Sequence, residues 1–388
     1  MKAVDLDCER TKIAKRAFTT RRVPAAEMRT LVTGDVRPKT GDLVLATVEE
    51  IGKHRKIEKP SGRRSLMMPG DEIIVCYGNR YAPDQFEALV PEDLSPCDLV
   101  AAGGIAANEI ERHERMITPT RIAPLGLIGD AQGRPLNLSQ YALDFRQSTR
   151  KIATVLVAGT AMNSGKTYSA ASLIHGFKNK GFRVAGIKAT GTGAGGDLWQ
   201  MKDMGADVVM DFTDAGFAST YKVPPEEIER GVLGLIDHAA RCRCTIAVVE
   251  IADGLQHQET ATLLQCAALR RQSLGLLFAA YDSLGAVAGV TALRREGHKV
   301  LGLSGQLTRS PLAIRESQHA VDCRVYSAHE LQAGAFIETL ISHQYQPKTT
   351  YQAPKKPLPD IVPIPMVLED NMAKRASNDV ADQIAVGA

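Results

Sequence analysis

Val155-Leu-Val-Ala-Gly-Thr-Ala-Met-Asn-Ser-Gly-Lys-Thr-Tyr-Ser169 is the stretch whose reading decides the fold. Val155, Leu156 and Val157 form a short apolar run that suits a buried strand. Gly159 lets the backbone turn where a Cβ would clash. Gly165 permits close approach to a ligand, Lys166 brings a positive charge, and Thr167 brings a hydroxyl suited to Mg²⁺. A helix is expected from Tyr168 to Lys178, and its N-terminal amides and dipole favour an anion. Five residues separate Gly159 from Gly165, one more than the usual four. The strand before the loop and the helix after it therefore carry the assignment as a phosphate site. The expected nucleotide-binding set is Gly159, Thr160, Asn163, Ser164, Gly165, Lys166, Thr167 and Tyr168.

A bound triphosphate needs a divalent cation, and the cation needs oxygen ligands. Thr167 supplies one. Thr245-Ile-Ala-Val-Val-Glu250 supplies another, because an apolar strand that ends on a carboxylate needs a partner for it. Asp253, just beyond, is a weaker candidate for the same neighbourhood. A second strand ends in Val184-Ala-Gly-Ile-Lys188, followed by Ala-Thr-Gly-Thr-Gly-Ala-Gly-Gly-Asp197. Lys188 would stand at a carboxyl end, where open α/β sheets bind ligands; the alternative is a solvated lysine. The glycines would let this loop approach a substrate or phosphate. Asp197 reads either as a further Mg²⁺ ligand or as a helix cap.

Around this core, strands are expected near 152–158, 182–187, 245–250, 275–280 and 299–304, alternating with helices. That pattern predicts an α/β fold, a mostly parallel P-loop NTPase sheet over residues 150–343 with helices on both faces. Residues 40–138 show short apolar runs between turns at Pro60–Arg63 and Pro69–Asp71, which predicts a smaller β-rich, barrel-like domain. Within it a helix is expected from Ile105 to about Met116, and a hairpin turning at Asp130–Gly133. Cys76-Tyr-Gly-Asn-Arg-Tyr-Ala-Pro-Asp-Gln-Phe86 is its densest chemistry, read as a packed turn ahead of a contact to substrate or partner. Residues 1–39 read as a basic irregular arm, and 344–388 as a proline-rich extended tail.

Composition narrows the function class. The chain has 388 residues, a net charge of +3, 44% hydrophobic and 23% charged residues. The charge is too small to argue for nucleic acid, although Lys53, Arg55, Lys56, Lys59, Arg63 and Arg64 form a local basic run, read as a solvated hairpin. No apolar run is long enough for a membrane span, and the first residues lack a signal-peptide layout. Seven scattered cysteines argue against a disulfide framework and suit a cytoplasmic setting. Cys242 and Cys244 have no matching second pair, which disfavours zinc. His54 and His113 show no acid partner and receive no role.

The loop Gly159-Thr-x-x-x-Ser-Gly-Lys-Thr167, the strand ending in Lys188, the strand ending in Glu250 and the segment Gly285–Leu303 resemble dethiobiotin synthetase. Gly195–Val209 is similar to the P-loop protein of molybdopterin-guanine dinucleotide biosynthesis. Asp214–Gln258 is similar to the P-loop half of certain bacterial amino-acid N-acyltransferase-like proteins. The resemblance covers about 150–330. It implies that Lys166 stabilises the transferring phosphoryl group, that Thr167, Asp197 and Glu250 hold Mg²⁺, and that Lys188 binds an acceptor carboxylate or carbamate. It also implies ATP as the nucleotide and a homodimer. Departures limit it. Ala161, Met162 and Asn163 stand where the synthetase carries an acid, Lys188 is followed by Ala-Thr instead of Pro-Val, and Ser304-Gly-Gln306 replaces its base-reading Asn. No Asn-Lys-x-Asp stretch is present, which disfavours a GTPase. The expectation is an ATP-dependent ligase or phosphotransferase acting on a small carboxylate or amine. The alternative is a nucleotide-controlled binding protein whose barrel contacts a macromolecule.

Overall fold

The computed structural model describes residues 2–345. Twelve strands belong to the N-terminal part: β1 (Lys2–Asp5), β2 (Lys15–Arg16), β3 (Thr30–Thr33), β4 (Leu43–Glu50), β5 (Lys56–Glu58), β6 (Arg64–Leu66), β7 (Glu72–Tyr77), β8 (Arg80–Tyr81), β9 (Phe86–Leu89), β10 (Cys97–Ala101), β11 (Ile105–Arg112) and β12 (Thr120–Gly129). Strands β12, β4, β7, β11 and β10 pair in a closed cycle, antiparallel except for β7 with β11. Closure removes open edges and makes the expected barrel. Alternate residues feed different buried clusters: Val44, Ala46 and Val48 join one, Leu43 and Leu45 the other. The hairpin β5–β6 turns at the expected Pro60–Arg63.

Two N-terminal expectations are corrected. The arm expected at 1–39 is, over its described residues 2–39, woven into the sheet, with β1 on β3, β3 on β12, and β2 on β7. Phe18 and Thr20 are fully buried. The scattered arginines conceal the apolar positions between them, and one of those arginines proves to be structural. Residues 105–112, expected as helix, are strand β11. The Ala-Ala-x-Glu run favours a helix locally, but its backbone pairs with β9 and β10, and that tertiary demand outweighs a weak propensity.

The second sheet contains β13 (Ala153–Gly159), β14 (Val184–Lys188), β15 (Val208–Asp211), β16 (Ile246–Glu250), β17 (Ser273–Ala279) and β18 (Val300–Ser304). Its order is β15-β14-β16-β13-β17-β18, and every pairing is parallel. β15 is the strand the sequence pattern did not disclose. Apolar residues alternate between the two faces. Leu156 and Ala158 pack with the helix Pro225–Arg241 and the helix Ser283–Arg295, whereas Val155 and Val157 pack with the helix Lys166–Asn179 and the helix Ala335–Tyr345. Helices thus cover both faces, as parallel sheets require. The tail expected at 344–388 lies outside the described residues, apart from Gln344 and Tyr345, which end the last helix.

The barrel and the parallel sheet pack closely. A Cβ on Gly103 would fall 2.2 Å from Gly193 O, so two glycine backbones touch across the junction. Glu58 of β5 is buried and accepts from Gly195 N (3.0 Å) and Trp199 Nε1 (2.8 Å). Arg21 Nη2 lies 3.0 Å from Asp211 Oδ1 and 2.7 Å from Asp214 Oδ2, and its other Nη donates to Thr213. Burial raises the Asp214 carboxyl, Asp211 adds to that rise, and Arg21 opposes it. Arg21→Ala leaves two buried carboxylates facing one another and is expected to cost about 3–5 kcal/mol in urea unfolding. Arg21→Lys should restore only part of that, since the fork is lost; an unchanged midpoint for Arg21→Ala would show that this contact does not hold the junction.

Candidate functional site

The sheet's register assembles the site. In the parallel ladder Asp211 stands opposite Lys188, Lys188 opposite Glu250, and Glu250 opposite Val157. A row of charged side chains therefore crosses the carboxyl edge of the sheet beside the loop that follows β13. This is the edge at which open α/β sheets bind ligands.

The loop has the backbone that its glycines anticipate. Gly165 lies at φ +97° and begins the helix Lys166–Asn179, a conformation an L side chain resists. A Cβ on Gly159 would meet Ser164 Oγ at 2.4 Å and Ala279 O at 2.7 Å. Asn163 adopts φ +63° and donates from Nδ2 to Asp84 Oδ2 at 2.9 Å, so the barrel reaches directly into the loop. On the far side Gln306 N donates to Ser164 O at 2.9 Å, which places the segment after β18 against the loop. Tyr168 is half exposed on the first helical turn.

Lys166 is buried and donates from Nζ to Ala161 O at 2.8 Å. Burial pushes its ammonium down to about 8, against an upward pull from Glu250. Thr167 Oγ1 donates to Glu250 Oε1 at 2.8 Å, and Lys188 Nζ lies 3.5 Å from the same oxygen. Glu250 is 1% exposed. Its Oε2 has no hydrogen-bond partner, nor do Thr160 Oγ1 and Ser164 Oγ. Orphaned buried polar atoms are rare in folded proteins and mark places that a ligand, ion or water completes. These three lie together on one loop and the carboxylate behind it.

The donor set fits a magnesium ion bound through substrate phosphates. Thr167 and Glu250 provide hard oxygens, and Glu250 has one free. No group of three or more His, Cys, Asp or Glu side chains forms a metal cluster among the described residues. Asp197, expected as a further Mg²⁺ ligand or a helix cap, forms an ion pair with Lys188 in the first turn of the helix Gly196–Asp203. The glycine loop before it, expected to approach a substrate, turns towards the barrel and meets Gly103, Thr19 and Glu58. Lys188 is therefore held between two carboxylates, Asp197 and Glu250, at the edge of the loop.

The structure adds residues to the site. Asp253, a weaker candidate in the sequence, sits in a left-handed turn at φ +64°, and burial raises its carboxyl while His257, Lys166 and Lys188 draw it down. Gly254 beside it packs on Thr160 O. His257 follows, with Tyr81 of the barrel against it at 4.4 Å between ring centroids, the rings tilted by 42°. The segment 76–86 is thus more than a packed turn, because Asp84 bonds the loop at Asn163 and Tyr81 lies against His257. Only the Asp-Gly pair shortly after Glu250 hinted at this region in the sequence.

No protein-family model matches the chain, and no curated protein matches it. Among solved structures, the signal recognition particle receptor FtsY of Elizabethkingia anophelis is 17% identical at a TM-score of 0.33, covering 52% of this chain and 70% of that one. The 54 kDa signal recognition particle protein of Aeropyrum pernix K1, in complex with GDP, is 15% identical at 0.34, covering 53% and 54%. The cell division protein ftsY of Thermotoga maritima is 16% identical at 0.32, covering 53% and 74%. At these scores the likeness carries no argument about function. The strand, loop and helix from 153 to 179, with Glu250 behind Thr167, have the layout of a phosphate-binding loop. No described helix is long and apolar enough to cross a membrane.

Calorimetric titration with magnesium nucleotide is expected to show binding to the wild type and a loss of about 2 kcal/mol or more in Lys166→Ala, as a charge-assisted contact is removed. Free Lys166 is charged below about pH 8 and neutral above it, and phosphate binds the charged form. Affinity should therefore be level below about pH 7 and weaken up to about tenfold per unit well above pH 8. Lys166→Arg, charged throughout, should flatten that fall; an identical slope would assign it to another group.

Proposed function

We propose that this protein is a magnesium-dependent enzyme that uses ATP to phosphorylate or ligate a small acceptor at the junction of its two sheets. The observation that carries the reading is the convergence of Lys166, Thr167, Lys188 and Glu250 on one carboxyl edge, with buried oxygens left unpartnered there. Lys166 and the loop amides hold the triphosphate and neutralise charge on the leaving group. Thr167 and Glu250 would hold Mg²⁺, which supplies charge neutralisation on the phosphate oxygens when bound. Lys188, fixed by Asp197 and Glu250, lies where the acceptor and the terminal phosphate would meet, and catalysis is mostly positioning. The absence of an Asn-Lys-x-Asp stretch favours adenine over guanine.

A second reading has its own support. Asn163 bonds Asp84, and the glycine loop carries Glu58 and Gly103 on its back. A change in the nucleotide loop would thus be felt in the barrel, as a nucleotide-controlled binding protein requires.

Release of nucleoside diphosphate, measured with ATP and with GTP against a panel of small acceptors, separates the two. The enzyme reading expects release that depends on one class of acceptor. In Lys188→Ala it expects kcat/KM to fall by about 10²-fold or more with magnesium-nucleotide affinity retained. Release at the same rate without any acceptor, or an unaffected Lys188→Ala, would reject it and leave the switch reading.

A further inference from the structure

On the barrel side of the phosphate loop a second set of buried polar atoms lacks partners. His257 is nearly inaccessible, its side chain 8% exposed. Its Nε2 lies 3.1 Å from Glu259 Oε2 and its Nδ1 3.9 Å from Asp253 Oδ2, yet neither nitrogen makes an aligned hydrogen bond. Asp84 Oδ1, on the barrel hairpin that touches Asn163, is also buried and unpartnered. A histidine serving only to pack would commit one nitrogen to a donor or acceptor. This one is oriented without being consumed.

Its surroundings are fixed from every side. Asp253 and Glu259 flank it from its own segment, and that segment is anchored to the phosphate loop through Gly254 and Thr160. Tyr81 lies tilted against it from the barrel, and Tyr221 lies 6.2 Å away, centroid to centroid, from the loop beyond β15. Tyr221 donates to Glu87 Oε1 at 2.7 Å, and Lys222 N donates to Glu259 Oε1 at 2.7 Å. Lys166 and Lys188 act on Asp253 from the other side. Two carboxylates beside an imidazole stabilise the imidazolium that forms when it accepts a proton.

We propose that His257 is the general base of this enzyme, and that the acceptor entering between Tyr81, Asp84 and Asp253 attacks through an amine or a hydroxyl. The proposal rests on the phosphoryl-transfer reading above and deepens it. A carboxylate acceptor is already deprotonated near neutrality and needs no base. An amine or hydroxyl must lose a proton as its bond to phosphorus forms. The attacking nitrogen or oxygen forms a bond to the terminal phosphorus of the nucleoside triphosphate. The bond from that phosphorus to the bridging oxygen breaks, and the electron pair leaves with the nucleoside diphosphate against Lys166. The acceptor's proton passes to a ring nitrogen of His257, where Asp253 and Glu259 balance its charge.

The test uses the full chain with His257→Asn, His257→Gln and Asp253→Asn, the last chosen because Asn tolerates the left-handed turn. Magnesium-ATP binding is measured by calorimetry, and diphosphate release is followed against amines, hydroxyl compounds and carboxylates across pH. Both His257 variants should bind magnesium-ATP within about threefold of wild type while turnover falls by about 10²–10⁴-fold. The acidic limb of the wild-type kcat/KM profile should vanish in them. In Asp253→Asn that limb should move to lower pH, since the imidazolium loses a neighbouring carboxylate. An acidic limb unchanged in all three variants, or a wild type that turns over carboxylates alone, overturns the assignment of His257 while leaving ATP-dependent transfer standing. A wild type that binds magnesium-ATP yet shows no acceptor-dependent release overturns the transfer reading and this inference together.

Discussion

The buried carboxylate of Glu250 is the constraint on which the site depends. Removing such a group from water costs several kcal/mol unless charges and donors compensate. Here one oxygen takes the Thr167 hydroxyl and the nearby Lys188 ammonium, while the other takes nothing. The register of three parallel strands makes the arrangement unavoidable, because Lys188 and Val157 are the direct neighbours of Glu250 across the ladder. A shift of one residue would turn these side chains to opposite faces. The chemistry of the site is thus a property of strand pairing as much as of the side chains.

The barrel is part of that site. Its Asp84 holds Asn163 of the phosphate loop, its Tyr81 covers His257, and its Glu58 caps the segment that carries Asp197. Glycines at 103 and 193 allow two backbones to meet where any Cβ would force them apart. Arg21 secures the same junction from below β15 by satisfying two acids that would otherwise repel. Burying those charges is tolerable only because all three groups are buried together. The junction is held by polar contacts whose partners lie from 79 to 193 residues apart in the chain.

The strand, glycine turn and helix at 153–179, the parallel sheet with helices on both faces and the β-rich domain were legible because each depends on local pattern: apolar period, glycine placement and turn residues. The pairing of Thr167 with Glu250 was legible for a related reason, since an apolar strand that ends on an acid needs a partner. The strand at 105–112 was concealed because its alanines and glutamates favour a helix until neighbouring strands claim the backbone. The first 39 residues were concealed because Phe18 and Arg21 reveal their roles only against residues far along the chain.

Sequence alone determined that a glycine-bounded turn joins a buried strand to a helix that opens on a lysine and a hydroxyl, because these features lie within a dozen residues of one another. Tertiary structure alone decided what surrounds that loop. It paired Asp197 with Lys188, turned the glycine segment towards the barrel, and brought Tyr81 against His257 and Asp84 against Asn163. These outcomes depend on register and on the packing of one sheet against another, and neither is encoded in any short run of residues.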